Sequence, residues 1–340
     1  MTRTLLLISA GLLLLSSAGA QTYSAGLPSY PDHDTSYYRS YRGSLMVRLF
    51  FSRNYSLLKL DPPGSLPLMK YHANTPLNIG VGFTYKYISF SVSKGLGFLQ
   101  SDSKKGTTHS FDLQTHIYKR KWSFDALAQF YKGYYLGQPN LGPPGTGYYL
   151  RPDMALHSIG VTAYRVLNDR HFSYGAGLSQ NALQQKSAGS FLIGGNVFYT
   201  AVNGDSSLAP YEVDTLYDKA NIRKLHLFEI GPGIGYAYTF VYRTHYFALG
   251  SVNANFDAYF SREIGNGVRK DRIGFSPNYI LRFGAGYNAN KWGISALWFT
   301  GGVHTKGESS GYQYTMTLGS YRLQYVRRFG IGRRMKRILE

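Results

Sequence analysis

The chain has 340 residues, 37 of them basic and 18 acidic, for a formal charge of +19, and it has no cysteine. That excludes a disulfide framework, a thiolate metal site and a cysteine nucleophile. Charged residues are only 16% while Tyr (31) and Gly (39) are in excess, against roughly 25% charged in soluble domains, which argues against a Lys/Glu-rich cytosolic helical protein.

Met1-Thr2-Arg3 is a short positive start, Leu5 to Leu15 an apolar run, and Ala18-Gly19-Ala20 an A-x-A site. This pattern predicts a secretory signal over residues 1–20, cut before Gln21. No cysteine follows the cut, so a lipid-anchored start is excluded. Beyond residue 20 every apolar run is interrupted by Gly, Tyr, Ser or charge, and none reaches the length a spanning helix needs. Membrane residence then requires a closed barrel.

Period-2 alternation dominates the rest. Leu77, Ile79, Val81, Phe83 and Tyr85 alternate with Asn78, Gly80, Gly82 and Thr84, and after a turn near Lys86 the next run places Ile88, Phe90 and Val92 opposite Ser89, Ser91 and Ser93. Phe111-Leu113-Thr115-Ile117 turns at Lys119-Arg120-Lys121 into Trp122-Phe124-Ala126-Ala128-Phe130. Val161-Ala163 is expected to turn at Asn168-Asp169 into a strand of Phe172, Tyr174, Ala176 and Leu178, and Phe191 to Tyr199 to turn at Asn203-Gly204-Asp205 into a strand near Ser206 to Val213. Ile234 to Phe240 turns near Arg243 into Val252 to Ala258, Tyr279 to Tyr287 turns at Asn288-Ala289-Asn290 into Trp292 to Trp298, and Tyr321 to Phe329 is the last run.

Longer connections rich in Pro, Gly and charge are expected at Asn54 to Thr75, Leu99 to Thr108, Leu136 to Pro152, Asn181 to Ala188, Val213 to Ile222, Ser261 to Gly274 and Gly302 to Ser310. Short turns at one rim and long loops at the other read as an all-β, transmembrane antiparallel β-barrel of about 14 strands, within roughly 12 to 16. A soluble β-sandwich alternates too, with its aromatic face as the core; the signal, the aromatic excess and the loop asymmetry favour the barrel. The organisation expected is a signal at 1–20, a periplasmic N-terminal segment at 21–40, the outer-membrane barrel at 41–329 and a basic periplasmic tail at 330–340.

Tyr321, Leu323, Tyr325 and Phe329 form the alternating aromatic ending expected of a signal read by the barrel-insertion machinery. Segments such as Asn74-Thr75-Pro76-Leu77-Asn78, Phe130-Tyr131-Lys132-Gly133-Tyr134-Tyr135, Tyr149-Leu150-Arg151-Pro152-Asp153, Lys186-Ser187-Ala188-Gly189-Ser190-Phe191 and Ile230-Gly231-Pro232-Gly233-Ile234-Gly235-Tyr236 resemble an uncharacterised family of Bacteroidota outer-membrane proteins, a domain of unknown function. The resemblance covers most of the mature chain and implies an outer-membrane barrel of a Gram-negative cell. It carries over no catalytic residues.

Candidate chemistry is sparse. Gly231-Pro232-Gly233-Ile234-Gly235 lacks the following helix that a phosphate loop needs, and its glycines more simply leave room in a lumen. The nine histidines show no metal spacing, and His116 with Asp112 and Asp125 is the nearest approach to an acid/base cluster. No catalytic, cofactor or metal site is assigned, and no enzyme activity is expected.

The strand phase predicts a lumen-facing set of Asp112, Gln114, His116, Asp125, Gln129, Glu229, Asn253, Asn255, Asp257, Arg282, Arg322, Gln324 and Arg328. These side chains could line a water-filled path or form a salt-bridged plug. Tyr37, Tyr38, Tyr41, Tyr131, Tyr134, Tyr135, Tyr148 and Tyr149 are expected in an aromatic girdle. The basic excess falls in loops and turns, which points to membrane lipids and lipopolysaccharide as partners, not nucleic acid. The leading function is a porin-like pore or transporter for small solutes. The alternatives are a non-conducting barrel that anchors or assists a secretion or cell-surface complex through a periplasmic or surface protein partner, and an outer-membrane lipid-modifying enzyme.

Overall fold

The computed structural model of the protein describes residues 32–64, 67–86, 88–97, 102–138, 147–210 and 221–330. The predicted signal, residues 21–31 of the predicted N-terminal segment and the basic tail beyond Gly330 lie outside them.

Among the described residues the strands are β1 (Tyr38–Ser40), β2 (Ser44–Asp61), β3 (Met69–His72), β4 (Asn78–Tyr85), β5 (Ile88–Gly95), β6 (His109–Tyr118), β7 (Trp122–Leu136), β8 (Leu150–Val166), β9 (Ala182–Gln184), β10 (Ala188–Asn203), β11 (Lys224–Tyr242), β12 (Tyr246–Ile264), β13 (Arg269–Asn288), β14 (Trp292–Lys306) and β15 (Gln313–Gly330), with a short α-helix, α1 (Tyr174–Leu178), and a single 3-10 turn at Ser103–Lys105. All but β1 and β9 belong to a single 13-stranded antiparallel sheet, and its last strand pairs with β2, Phe329 opposite Leu45, so the sheet closes on itself. β3 and β4 are successive pieces of one stave, since both pair with β2, His72 opposite Leu57 and Asn78 opposite Ser52. The closed circuit therefore runs through one fewer stave, twelve.

Alternation sets which side chains face out. Phe256 is 60% exposed while its neighbours Asn255 and Asp257 are 0% exposed. Phe51, Phe83, Phe191, Ile234 and Phe240 likewise point outward, and their inward neighbours are mostly small or polar, with Phe50 and Leu192 as large apolar exceptions. An apolar exterior around a polar interior is the reverse of a soluble barrel and is what hydrocarbon requires. Closure matters for the same reason, because a strand edge facing lipid would leave backbone N–H and C=O groups without partners.

Two of the fourteen predicted strands do not form. Phe172 to Leu178 holds α1, whose five residues are all buried, and Ser206 to Pro210 is irregular, with Leu208 and Ala209 buried; residues 211–213 lie outside the described set. In both places the wall has already closed: β8 pairs directly with β10, Val161 opposite Val197, and β10 with β11, Val197 opposite Ile230. Neither extra strand has an edge left to join.

Three predicted loops also change. Most of Asn54 to Thr75 is strand, as β2 runs on to Asp61 and β3 follows. Ser261 to Gly274 shrinks to a tight turn in which the Gly265 N–H donates to the Val268 carbonyl at 2.8 Å and Gly267 takes φ 71°. Asn203-Gly204-Asp205 lies at the long-loop rim, while Asn181 to Ala188 belongs to the short-turn rim, because β8 descends to that rim and β10 rises from it.

Short turns near Lys86, Lys119–Lys121, Arg243–His245 and Ala289–Lys291 share a rim with Ser44 and Gly330. At one of them, the three-residue connection between the paired Tyr242 and Tyr246, Arg243 and Thr244 both take positive φ, 47° and 63°. On this rim Tyr242, Tyr246, Tyr287, Trp292 and Tyr325 form a chain of ring contacts with centroids 5.1 to 6.4 Å apart. This is an aromatic girdle, and it is built from residues other than those expected. Tyr131, Tyr134 and Tyr38 are instead 1%, 3% and 4% exposed.

Candidate functional site

The lumen is filled from both ends. At the long-loop rim Leu58, Leu60, Met69, Tyr71, Tyr131, Tyr134, Leu136, Met154, Leu156, Tyr259 and Tyr314 point inward and pack with Leu208, Ala209 and Ile222 from the connection after β10. Inward residues here are apolar because they pack on folded chain, not on water. Arg151 fastens that connection. Its Nη1 donates to the Ser207 carbonyl at 2.6 Å, its Nη2 to the Ser206 carbonyl at 3.3 Å, and its Nε and Nη2 to the two Asp153 oxygens at 2.9 Å each.

At the short-turn rim the chain between β8 and β10 folds back into the barrel as a plug. β9 of the plug pairs with β1, Tyr38 opposite Gln184, which stitches the N-terminal stretch to it. Wall side chains hold its backbone: Arg48 Nη1 donates to the Ser179 carbonyl at 3.5 Å, Gln324 Nε2 to the Leu178 carbonyl at 3.3 Å, Arg328 Nη2 to the Gln180 carbonyl at 2.8 Å and Asn288 Nδ2 to the Ala182 carbonyl at 2.9 Å. Phe172, Tyr174 and Leu178 add apolar packing against Tyr118, Tyr164 and Leu249.

Between these closures lies a polar layer. Arg282 Nη2 donates to Asp125 Oδ2 at 2.7 Å, and its Nη1 donates to the Tyr174 hydroxyl of the plug at 3.1 Å. Asp125 also meets His116 Nδ1 at 2.6 Å and accepts from the Tyr118 hydroxyl at 2.9 Å. The His116–Asp125 approach therefore forms, but the carboxylate is shared with an arginine and a tyrosine.

A second group joins Glu229, Asp257 and Asn278. Asn278 Nδ2 donates to Glu229 Oε1 at 2.8 Å and to Asp257 Oδ2 at 2.7 Å, and Asn196 Nδ2 donates to Asp257 Oδ2 at 3.0 Å. Asn253 and Asn255 sit beside it, both 0% exposed. The glycines of Gly231-Pro232-Gly233-Ile234-Gly235 lie opposite. A Cβ on Gly233 would meet the Tyr164 hydroxyl at 2.9 Å as well as Asn255, and Cβ atoms on Gly231 and Gly235 would meet Asp257 and Asn253. The motif clears space for three polar side chains of β12.

Asp112 accepts from Gln129 at 2.8 Å and from Gln114 at 3.1 Å. Arg322 lies 4.6 Å from the Phe50 ring centroid, with no hydrogen bond or ion pair among the described residues. Arg328 stays at the short-turn rim, over the Tyr41 ring at 4.3 Å. Tyr321, Leu323, Tyr325 and Phe329 all face outward and are 39 to 55% exposed. Sequence reasoning missed Arg48, Arg151, Tyr174, Asn196 and Asn278. The phase of Arg48, which alternates with outward Leu49 and Phe51, was available as a signal for the first of these.

Voids of about 120 Å³ and about 40 Å³ remain. The larger is bounded by Gln129, Ser158, Thr200, Ile280, Phe299 and Val303. The smaller lies between β2, β5 and β6 against Arg48, Ser91, Asp112 and Arg322, and both touch Gln114, His116 and Phe299.

A protein-family model matches residues 32–329, the barrel from before β1 to the end of β15. The chain belongs to the family described as a domain of unknown function (DUF4421). No curated protein matches the sequence. Among solved structures, the outer-membrane protease OmpT from Escherichia coli aligns over 90% of this chain and 99% of its own, at 8% identity and a TM-score of 0.39. The Pseudomonas putida toluene transporter TodX aligns over 84% of this chain and 89% of its own, at 8% identity and a TM-score of 0.30. A Pseudomonas aeruginosa FadL homologue aligns over 85% of this chain and 91% of its own, at 10% identity and a TM-score of 0.27. At these scores the DUF4421 barrel takes no functional argument from its neighbours.

Proposed function

We propose that this protein is an outer-membrane β-barrel that passes small solutes by way of its side wall, with both mouths of the barrel closed. One observation carries the reading. β5 and β6 pair only through Ile88–Ile117 and Ser89–His116, and beside that seam inward side chains are open to the surroundings. Ser93 is exposed and Asp112, Gln114 and His116 are half-buried, whereas inward Ser52, Asn255, Asp257 and Gln324 on other staves are 0 to 3% exposed. The reading includes no catalytic step.

The test uses the natural absence of cysteine. Continuing the Ser89–His116 register would set Ser91 opposite Gln114, so a Ser91→Cys/Gln114→Cys pair locks the seam when it zips. Reconstituted in liposomes, this variant should lose small-solute uptake on oxidation and regain it on reduction. Uptake that ignores the lock would put the route elsewhere.

The filled lumen favours a second reading, a non-conducting barrel that serves as an anchor or assembly factor. Absence of uptake for every solute, together with a co-purifying protein lost when residues 21–40 or 330–340 are removed, would select it.

A further inference from the structure

The break in the wall is framed by specific contacts. Below, the seam is held by the pairs at Ser89 and Ile88. Above, the irregular stretch between β3 and β4 spans the gap like a lintel: the Asn74 N–H donates to Thr108 Oγ1 at 2.7 Å, Asn74 Nδ2 donates to the Gly106 carbonyl at 2.7 Å, and the Thr108 hydroxyl donates to the Gly133 carbonyl at 2.6 Å. Higher still, β3 pairs with β7, His72 opposite Tyr135. The sides are β5 above Ser89 and β6 above His116, which do not pair with each other there. Their outward residues Phe90, Val92, Phe111 and Leu113 are apolar and 43 to 60% exposed, so the opening sits within the lipid-facing belt. Unpaired strand edges at that depth are tolerated only where they line a polar or water-filled space.

Behind the opening stand two guanidiniums and one carboxylate. Arg48 is 4% exposed, donates to Thr84 Oγ1 at 2.5 Å and to Ser179, and leaves its buried Nε without a partner. Arg322 stacks on the Phe50 ring and faces the Asp112 carboxylate across the void without a direct ion pair, and its Nε is also buried and without a hydrogen-bond partner. Asp112 already accepts from two glutamines. Two guanidiniums against one carboxylate leave the local balance positive, and an excess buried cation is costly unless a further anion completes it. The larger void lies on the other side of the stacked His116 and Phe299 rings, whose centroids are 6.1 Å apart, and there Ile280, Val303 and Leu318 contribute an apolar wall. Its volume of about 120 Å³ approaches that of cavities that take up benzene, roughly 150 Å³.

We propose that this compartment binds a small amphiphile with a monoanionic head and a short apolar tail, entering from the membrane between β5 and β6, its head on Arg48 and Arg322 and its tail toward Ile280 and Val303. The proposal rests on the side-wall reading above and gives it a ligand class. Charge-assisted bonds to two arginines fix the head, and the void sorts tails by size. A carboxylate head is the chemistry that two forked donors accept best.

The test is equilibrium binding of radiolabelled octanoate to the folded full chain in zwitterionic lipid nanodiscs, with empty discs subtracted. Saturable binding of one octanoate per barrel is expected, weakened about tenfold or more in Arg322→Gln, the size of a lost charge-assisted bond. Arg322 has no hydrogen bond in the wall, so this variant should fold, as heat-shifted gel mobility will verify. Leu318→Trp should weaken octanoate binding by narrowing the tail void and leave competition by inorganic phosphate unaffected. No saturable binding, or binding unchanged in both variants, overturns the proposal. Equal displacement by inorganic phosphate and by octanoate shows an anion site with no tail selection and overturns the amphiphile assignment. Binding without seam-dependent uptake retains the ligand site and discards the transport reading.

Discussion

Asp125 and Arg282 are 157 residues apart in sequence and meet inside the barrel, Nη2 to Oδ2 2.7 Å, with side chains 7% and 5% exposed. The pair links β7 to β13 and, through the Tyr174 hydroxyl, links the wall to the plug. Removing one partner strands a buried charge, which costs about 3–5 kcal/mol. Arg282→Met should therefore lower the unfolding free energy of the refolded barrel by that amount in denaturant titration, and Asp125→Leu/Arg282→Met should recover most of it. A single variant as stable as the parent would show that the pair is not formed in the folded protein.

The plug is held mainly by side chains donating to its carbonyls from Arg48, Gln324, Arg328 and Asn288. The intact chain should be electrically silent in a planar bilayer, and replacing residues 173–184 with a Gly/Ser linker should produce discrete conductance steps once Arg151→Ala also frees the connection that closes the opposite mouth. Steps of the same size before and after the replacement would mean that ions bypass the plugged mouth.

Arg151 makes its four bonds to Asp153, Ser206 and Ser207 while 2% exposed. Arg151→Ala should release the connection after β10 at a cost of about 1–3 kcal/mol. Limited proteolysis of the folded protein should then cut within residues 203–223 at least tenfold faster, with the β-sheet circular dichroism unchanged. Unchanged cleavage would remove Arg151 as the fastener.

Gly233 and Gly250 both lie in long strands, but only the first is crowded. A Cβ at Gly233 meets Asn255 and Tyr164, whereas at Gly250 the nearest neighbour is Phe283 at an ordinary 3.6 Å. Gly233→Ala should destabilise by about 1–3 kcal/mol through overpacking, and Gly250→Ala should be near neutral. Equal unfolding midpoints for the two would contradict the close packing of β11 on β12.

Sequence legibility followed the range of the physical effect. Hairpin turns at Arg243 and at Asn288-Ala289-Asn290 were readable because turn chemistry and alternation act over a few residues. The Phe172 to Leu178 segment alternates as well as a true strand does, and Tyr131 and Tyr134 look like girdle residues. Each was decided by which neighbours the closed sheet left available.

The sequence by itself determined the all-β antiparallel character and the apolar outer face, because period-2 patterning assigns every strand residue to one face or the other. Only the tertiary structure decided that the lumen is filled, that Asp125 finds Arg282, that Arg48 and Arg322 share the single nearby carboxylate of Asp112, and that the wall parts between β5 and β6. Those outcomes depend on contacts between staves far apart in the chain, and a local pattern holds no information about which inward side chains meet when the sheet closes.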